Sequence, residues 1–177
     1  MRSLLALFSA VNPFAVAVAL WPRERRTLMA AAAAVACACA IGSAAVSRPV
    51  LDGLDVTPGT FRVAAAVVLG IAGARWLIAV APSVAAEGPS AGAGRVAVPL
   101  LFPVLVTPQL AIVSMSTGAD HGVAVVAGGA AASLAIAWLA AVVSKRHPVG
   151  WTAGVRLVAA LAVAVALALA VDGVKTV

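Results

Sequence analysis

Two short polar motifs, each built around a proline, lie deep within apolar stretches of the sequence. The first is Asn12-Pro13 and the second is Thr107-Pro108-Gln109. Proline removes a backbone donor and clashes with the preceding turn, so each motif predicts an interrupted helix with freed backbone N–H groups. Such a helix N-terminus favours an anion, and amide or hydroxyl side chains can hydrogen-bond a polar ligand. The two motifs therefore predict a site for a small polar solute, suited to a carboxylate.

The candidate site extends to the residues that follow the first proline. We expect the backbone N–H groups of Phe14 and Ala15 to point at the charged end of the solute. The residues assigned to solute binding are Asn12, Pro13, Phe14, Ala15, Thr107, Pro108 and Gln109. The candidates for lining a path are Ser9, Ser114 and Ser116. Two alternatives stay open: each proline is an ordinary kink, and each serine bonds its own helix backbone.

The composition indicates the environment in which these motifs lie. Of the 177 residues, 64% are hydrophobic and 10% are charged, and the mean hydropathy is +1.13. A soluble domain carries about a quarter charged residues, so the polar side chains here are too few to coat a water-exposed globule. We predict an integral membrane protein embedded in the lipid bilayer. The net charge of +6 is explained by basic cytoplasmic loops, so we expect no nucleic-acid partner.

The residues that membrane enzymes need are missing from the apolar stretches. The sequence has no HExxH motif and, at membrane depth, no acid pair and no Ser/His or Ser/Lys pairing, so general acid–base candidates are missing. Cys37 and Cys39 lie two residues apart in an apolar run, where a helix would point them in different directions. We expect no enzymatic activity, no metal ion and no cofactor.

Six apolar segments are long enough to cross a bilayer, which takes about 20 residues of helix. We predict an all-α integral membrane fold, a single transmembrane domain over residues 1–177, with spans at about 4–21, 27–47, 61–80, 96–116, 123–144 and 152–171. The second span is predicted to stop at Arg48-Pro49. The first segment imitates a signal peptide through Arg2 and Ala15-Val16-Ala17, but further spans follow it, so we expect it to be retained.

The distribution of charge predicts the orientation. The loops after spans one, three and five hold eight Lys and Arg: Arg23, Arg25, Arg26, Arg75, Arg95, Lys145, Arg146 and Arg156. The opposite side holds four, Arg2, Arg48, Arg62 and Lys175, together with Asp52, Asp55, Asp120 and Asp172. The positive-inside rule places both termini outside the cell. Arg62 and Arg156 are expected to snorkel to the interface. Asp172 is expected to be exposed at its helix end, with pairing to a cation across the membrane edge as the alternative.

The two halves of the sequence share a pattern. Val11-Asn12-Pro13 corresponds to Val106-Thr107-Pro108, and the Arg62 entrance of span three corresponds to Arg156 in span six, at offsets of 49 and 48 residues from the two prolines. Because each half holds an odd number of spans, the halves would be inverted relative to each other, as in many secondary transporters. We predict repeats at about 1–81 and 96–177, a loop at about 82–95, and breaks in helices one and four. The alternative is chance similarity between Ala- and Val-rich helices.

These segments resemble the MarC family of six-span membrane proteins, which is also described as a neutral amino acid transporter family. The resemblance is carried by Phe8-Ser9-Ala10-Val11-Asn12-Pro13-Phe14, Arg23-Glu24-Arg25-Arg26, Phe61-Arg62-Val63-Ala64, Pro99, Pro103, Pro108 and Asp172-Gly173. It implies an inner-membrane protein linked to the movement of small amino acids. Family members usually carry glycine where this chain has Ala15, Thr107 and Gln109, so the resemblance implies a narrower pocket or a changed ligand.

The function expected from the sequence is an inner-membrane transporter or exporter of a small polar solute, with small neutral amino acids as candidates. It would work by alternating access around the two broken helices. The alternative is a non-transporting accessory or scaffold membrane protein. Substrate identity, direction, coupling ion and oligomeric state stay open at this point.

Overall fold

The computed structural model describes residues 1–19, 26–78, 107–143 and 148–177, and all regular secondary structure in these ranges is α-helical. The helices are α1 (Arg2–Val11), α2 (Pro13–Ala19), α3 (Arg26–Ala45), α4 (Ser47–Gly53), α5 (Pro58–Ile78), α6 (Pro108–His121), α7 (Val123–Val143) and α8 (Pro148–Val174). The predicted loop at 82–95, the first part of the fourth predicted span, with Pro99 and Pro103, and the basic cluster at 23–25 lie outside the described residues.

Three of these helices are long and apolar enough to cross a membrane: α5, the 123–140 part of α7, and the 152–174 part of α8. Helices α3 and α4 add a fourth if their pair, bent by 44°, is counted as one span. Helices of this length and composition indicate a membrane-embedded protein. Residues 2–16 form a shorter apolar helical stretch, and the fourth predicted span lies partly outside the described residues. The count of six spans therefore stays a prediction.

The chain remains helical beyond the predicted end of the second span. That span is predicted to stop at Arg48-Pro49, whereas α4 runs through both residues to Gly53. The bend falls earlier, at Val46, between the end of α3 and the start of α4. Pro49 therefore lies in the first turn of a new helix, where backbone N–H groups have no intrahelical acceptor and proline is tolerated.

Helices α5 and α8 form the most extensive pairing in the described structure. Gly59, at the start of α5, lies against Thr176 after the end of α8, and Gly73, near the end of α5, lies against Ala159. The two helices therefore run antiparallel. A Cβ atom built on Gly73 would lie 2.9 Å from the backbone oxygen of Ala159, so glycine permits this close approach.

The remaining helices are arranged on both sides of this pair. Helices α1 and α2 pack against α7 and α8, while α6 packs against α3 and α5. Contacts of α1 with α6 and of α3 with α7 join the two groups. The buried core is made of small and branched side chains, including Leu7, Val16, Leu69, Val113 and Val126. Replacing a glycine at a close contact between two helix backbones should therefore disturb the packing of the helices.

The tightest contact between α3 and α6 gives a test of this packing. A Cβ atom on Gly118 would lie 2.7 Å from the Cα atom and 2.9 Å from the backbone oxygen of Ala44. Because backbone atoms cannot yield without moving a helix, we expect Gly118→Ala to lower the free energy of unfolding by about 1–3 kcal/mol. Denaturant titration in detergent micelles measures the change. Gly42→Ala, on α3 with no atom within 4 Å of its Cβ position, is the matched control; equal effects of the two changes would refute the packing.

Candidate functional site

The first proline motif interrupts the helix that contains it. Helix α1 ends at Asn12, whose backbone angles of φ 42° and ψ 77° lie in the left-handed region. Asparagine adopts this conformation more readily than most residues. The Asn12 N–H group donates to the backbone oxygen of Phe8 at 3.1 Å, and Pro13 starts α2. The Asn12 side chain is fully buried, so its amide group must find its partners within the protein.

The buried Asn12 side chain caps the helix that follows it. Its Oδ1 atom accepts a hydrogen bond from the Ala15 N–H group at 3.2 Å, and its backbone oxygen accepts one from Val16 at 3.2 Å. Its Nδ2 atom makes a long contact of 3.5 Å with the backbone oxygen of Val155 on α8. The Ala15 N–H group, expected to point at a solute, is thus bonded within the break itself.

The second motif caps the helix that follows it in the same way. Thr107 has an extended backbone, with φ −107° and ψ 148°, and Pro108 occupies the first helical position of α6. The Thr107 Oγ1 atom accepts from the Leu110 N–H group at 3.2 Å, and its backbone oxygen accepts from Ala111 at 3.2 Å. Residues 101–106, which precede this cap, lie outside the described residues.

The two caps are chemically equivalent. In each motif a polar residue precedes proline, its side-chain oxygen accepts from the N–H group three residues on, and its backbone oxygen accepts from the N–H group four residues on. Proline at the first helical position and a polar residue before it are the usual form of a helix start. Asn12 and Thr107, 95 positions apart in the sequence, thus form the same pattern of cap hydrogen bonds, although their backbone angles differ.

The surroundings of the two motifs differ. Pro13 is buried, and the Phe14 ring lies against Gly154 of α8, where a Cβ atom would come within 2.7 Å of the ring. Pro108 is exposed and Gln109 is half-buried. Helices α1 and α6 are in contact, but no hydrogen bond joins Asn12 to Thr107 in the described part of the chain. A chamber shared by both motifs stays a prediction.

The three candidate path serines have different environments. The Ser9 hydroxyl donates to the Leu5 backbone oxygen of its own helix at 2.6 Å, which is the structural alternative considered for these serines. Ser114 and Ser116, both on α6, are buried. The Ser114 hydroxyl is fully enclosed and has no hydrogen-bond partner among the described residues. An unpaired buried hydroxyl is costly. Of the three serines, Ser114 would therefore gain most from a hydrogen bond to water or to a polar solute.

Two ion pairs join residues that the sequence did not associate. Arg62 binds Asp120 with two hydrogen bonds, of 3.0 Å from Nε and 2.7 Å from an Nη atom, and Arg2 binds Asp172. Asp172 is therefore half-buried and paired with a cation, which is the alternative to simple exposure at the helix end, and the expectation that Arg62 snorkels to the interface stays a prediction. The available signal was position, since Asp120 and Asp172 lie in the last turns of α6 and α8, where a carboxylate is unfavourable without a cation.

The candidate site contains groups that can form hydrogen bonds with a polar solute. It comprises two capped helix starts and one unpaired hydroxyl, and no group of three or more His, Cys, Asp or Glu in the described ranges could hold a metal ion. A carboxylate oxygen is an acceptor like the Asn12 and Thr107 side-chain oxygens and could take their place on the N–H groups. Comparison with protein-family models, with curated proteins and with solved structures gave no match to this chain.

The Thr107 cap can be tested by a pair of substitutions. Thr107→Ala removes the acceptor for the Leu110 N–H group, so we expect the free energy of unfolding to fall by about 1 kcal/mol. Thr107→Ser keeps a hydroxyl oxygen in place and should lose less than half as much. Equilibrium unfolding in micelles measures both, and an equal loss for the two variants would show that the hydroxyl is not the cap.

At Asn12 the same test must separate the cap from the backbone conformation. Asn12→Gly removes the cap but accepts positive φ, while Asn12→Ala removes the cap and adds strain at φ 42°. We expect Asn12→Ala to be less stable than Asn12→Gly by about 1 kcal/mol, because a β-carbon disfavours the left-handed region. The same titration compares them. Equal stability of the two would contradict a left-handed break at this position.

Proposed function

We propose that this protein is an inner-membrane transporter of a small polar solute that works by alternating access around its two proline breaks. The observation that carries the proposal is the identical capping of two helix starts by Asn12 and Thr107. Proline breaks cost hydrogen bonds in an apolar surrounding and are tolerated in membrane helices only where other groups restore those bonds. A chain that breaks a helix at Asn12-Pro13 and repeats the same cap at Thr107-Pro108, in segments proposed to correspond, is expected to use both.

The packing of the helices supports an inverted repeat in this proposal. If the halves are equivalent, spans one, two and three correspond to spans four, five and six. The packing of span one (α1 and α2) on span six (α8) then corresponds to the packing of span four (α6) on span three (α5). The packing of span one on span five (α7) likewise corresponds to the packing of span four on span two (α3). The antiparallel α5–α8 pair corresponds to itself, as an in-plane two-fold axis requires.

The proposed solute carries a carboxylate that competes with the two caps. When the Asn12 or Thr107 side chain turns away, the N–H group of Ala15 or Leu110 becomes free to bind an anionic oxygen. The freed side chain can then bond another polar group of the same solute. A small neutral amino acid has this combination of groups, and the resemblance to the MarC family points to the same class. Gln109, where that family usually has glycine, would limit the size of the solute.

The proposed orientation has both termini outside the cell. Arg2, Arg48, Arg62, Asp120 and Asp172 were assigned to one side from the sequence. In the structure Arg2 bonds Asp172, Arg62 bonds Asp120, and Arg48 donates to a backbone oxygen next to Asp120. Groups that bond one another lie at one level of the bundle, which supports their assignment to one face. The positive-inside rule then makes this face the external one.

Solute flux tests the proposal directly. Purified protein in proteoliposomes would be given a panel of labelled small neutral amino acids, and we expect uptake that saturates with concentration. Thr107→Ser should transport at a rate within a few fold of the wild type, because it keeps the hydroxyl. Asn12→Ala should lower uptake at least about tenfold, since it removes a group proposed to hold the solute in the transition between states.

The control is a buried polar residue outside the proposed site. Ser133 lies on α7, and its hydroxyl bonds the Gly129 backbone oxygen of its own helix at 2.7 Å. Ser133→Ala should transport as the wild type does. Absence of saturable uptake for every amino acid tested, from protein that retains its helical content and thermal stability, would reject this substrate class and favour the alternative of a non-transporting accessory or scaffold protein.

A further inference from the structure

We propose that the Arg62–Asp120 ion pair is a gate that closes one end of the solute path. This inference rests on the proposed function and deepens it. It concerns the end of the bundle that carries Arg2, Arg48, Arg62, Asp120 and Asp172, which we call the charged face. When the pair breaks, the end of α6 would move away from α5 and admit water to the buried serines of α6.

The geometry of the pair is specific. The Arg62 guanidinium presents two N–H donors to the two carboxylate oxygens of Asp120, at 3.0 and 2.7 Å. The exposed fractions of the two side chains are 19% and 14%, so each is largely screened from solvent. A bidentate pair of this kind fixes the relative orientation of the two helices that carry it. Here the pair holds the last turn of α6 against the first turns of α5.

The gate is supported by neighbouring contacts on the charged face. An Arg48 Nη atom of α4 donates to the backbone oxygen of Ala119 at 3.4 Å, next to the acid of the pair. Arg2, at the start of α1, binds Asp172, near the end of α8. Because α5 and α8 are antiparallel, Arg62 and Asp172 lie near the same end of that pair. Contacts on the charged face thus join α4 and α5 to α6, and join α1 to α8.

Helix α6 connects the gate to the candidate site. Thr107 caps its start and Asp120 lies in its last turn, which at 1.5 Å per residue are roughly 20 Å apart. Ser114 and Ser116 lie between them and are buried. After His121 the chain turns through Gly122, whose φ of 86° favours glycine over other residues. A release of Asp120 would therefore free the end of a short helix whose other end binds solute.

An ion pair is suited to this reversible role. Replacing a partly buried ion pair by apolar side chains is often neutral or stabilising, because desolvation offsets much of the attraction. When water enters, both charges are hydrated again, so opening costs less than separating an equal apolar contact. Arg156, which corresponds to Arg62 in the second half, is exposed and forms no ion pair with any residue the structure describes. The described ion pairs thus belong to one end of the bundle only.

Thiol accessibility tests the gate without any need for a known solute. Cys37 and Cys39 would be replaced by alanine, and Ser116→Cys would place a thiol one helical turn before Asp120. The protein in lipid nanodiscs, open to solution on both faces, would be reacted with a charged methanethiosulfonate reagent. We expect Asp120→Asn and Arg62→Gln to raise the labelling rate at position 116 by about tenfold or more, because the intact pair shields that turn. The exchanged pair Arg62→Asp with Asp120→Arg should restore slow labelling.

Two controls separate a gate from general loosening of the bundle. In the same backgrounds, Ser133→Cys places a thiol at a buried position of α7, and its labelling should stay slow. Arg156→Gln removes the corresponding arginine and should leave labelling at position 116 unchanged. Unchanged labelling at position 116 in both single variants, or equal acceleration at position 133, would overturn the gate. Accelerated labelling at position 116 alone, in a protein that transports none of the amino acids, would support the gate and count against the proposed substrates.

Discussion

A proline within an apolar helix leaves backbone groups without partners, and a bilayer provides no water to replace them. The chain meets this requirement locally, because the residue before each proline supplies the missing acceptor. Asn12 does so from a left-handed backbone and Thr107 from an extended one. The N–H groups of Ala15 and Leu110 thereby have acceptors without a bound ligand. The break at Pro13 and the helix start at Pro108 are therefore stabilised from within the chain.

Helix α6 connects the two ends of the proposed path. Its start is capped by Thr107, its middle carries the unpaired Ser114 hydroxyl, and its end is bonded to Arg62 and Arg48. Its contact with α3 is a backbone-to-backbone approach at Gly118, which leaves no flexible side chain to absorb movement. We therefore expect a change at either end of this 14-residue helix to move the helix as a unit.

Local features of this fold followed from the sequence, and long-range ones did not. The helical character, the apolar spans of α5, α7 and α8, the break at Pro13 and the helix start at Pro108 depend on composition and on residues within one turn. The pairing of Arg62 with Asp120 joins residues 58 positions apart, and only the packing of α5 on α6 brings them together. The sequence predicts that the second span ends at Arg48-Pro49, because the bend at Val46 has no strong sequence signal. The bond from the Ala15 N–H group to the Asn12 side chain depends on backbone angles that composition does not fix.

The two caps share a hydrogen-bond pattern but differ in the contacts that a rotation of each side chain would alter. Asn12 has a donor as well as an acceptor, and its Nδ2 atom faces the Val155 backbone oxygen of α8, so rotation of this side chain alters a contact between helices. Thr107 bonds only within α6 among the contacts described, so its rotation alters the start of that helix alone. A solute bridging the two sites would thus act on α8 at one end and on α6 at the other. Because Arg2 and Arg62 hold the far ends of α8 and α6 at the charged face, binding and opening would act on the same two helices.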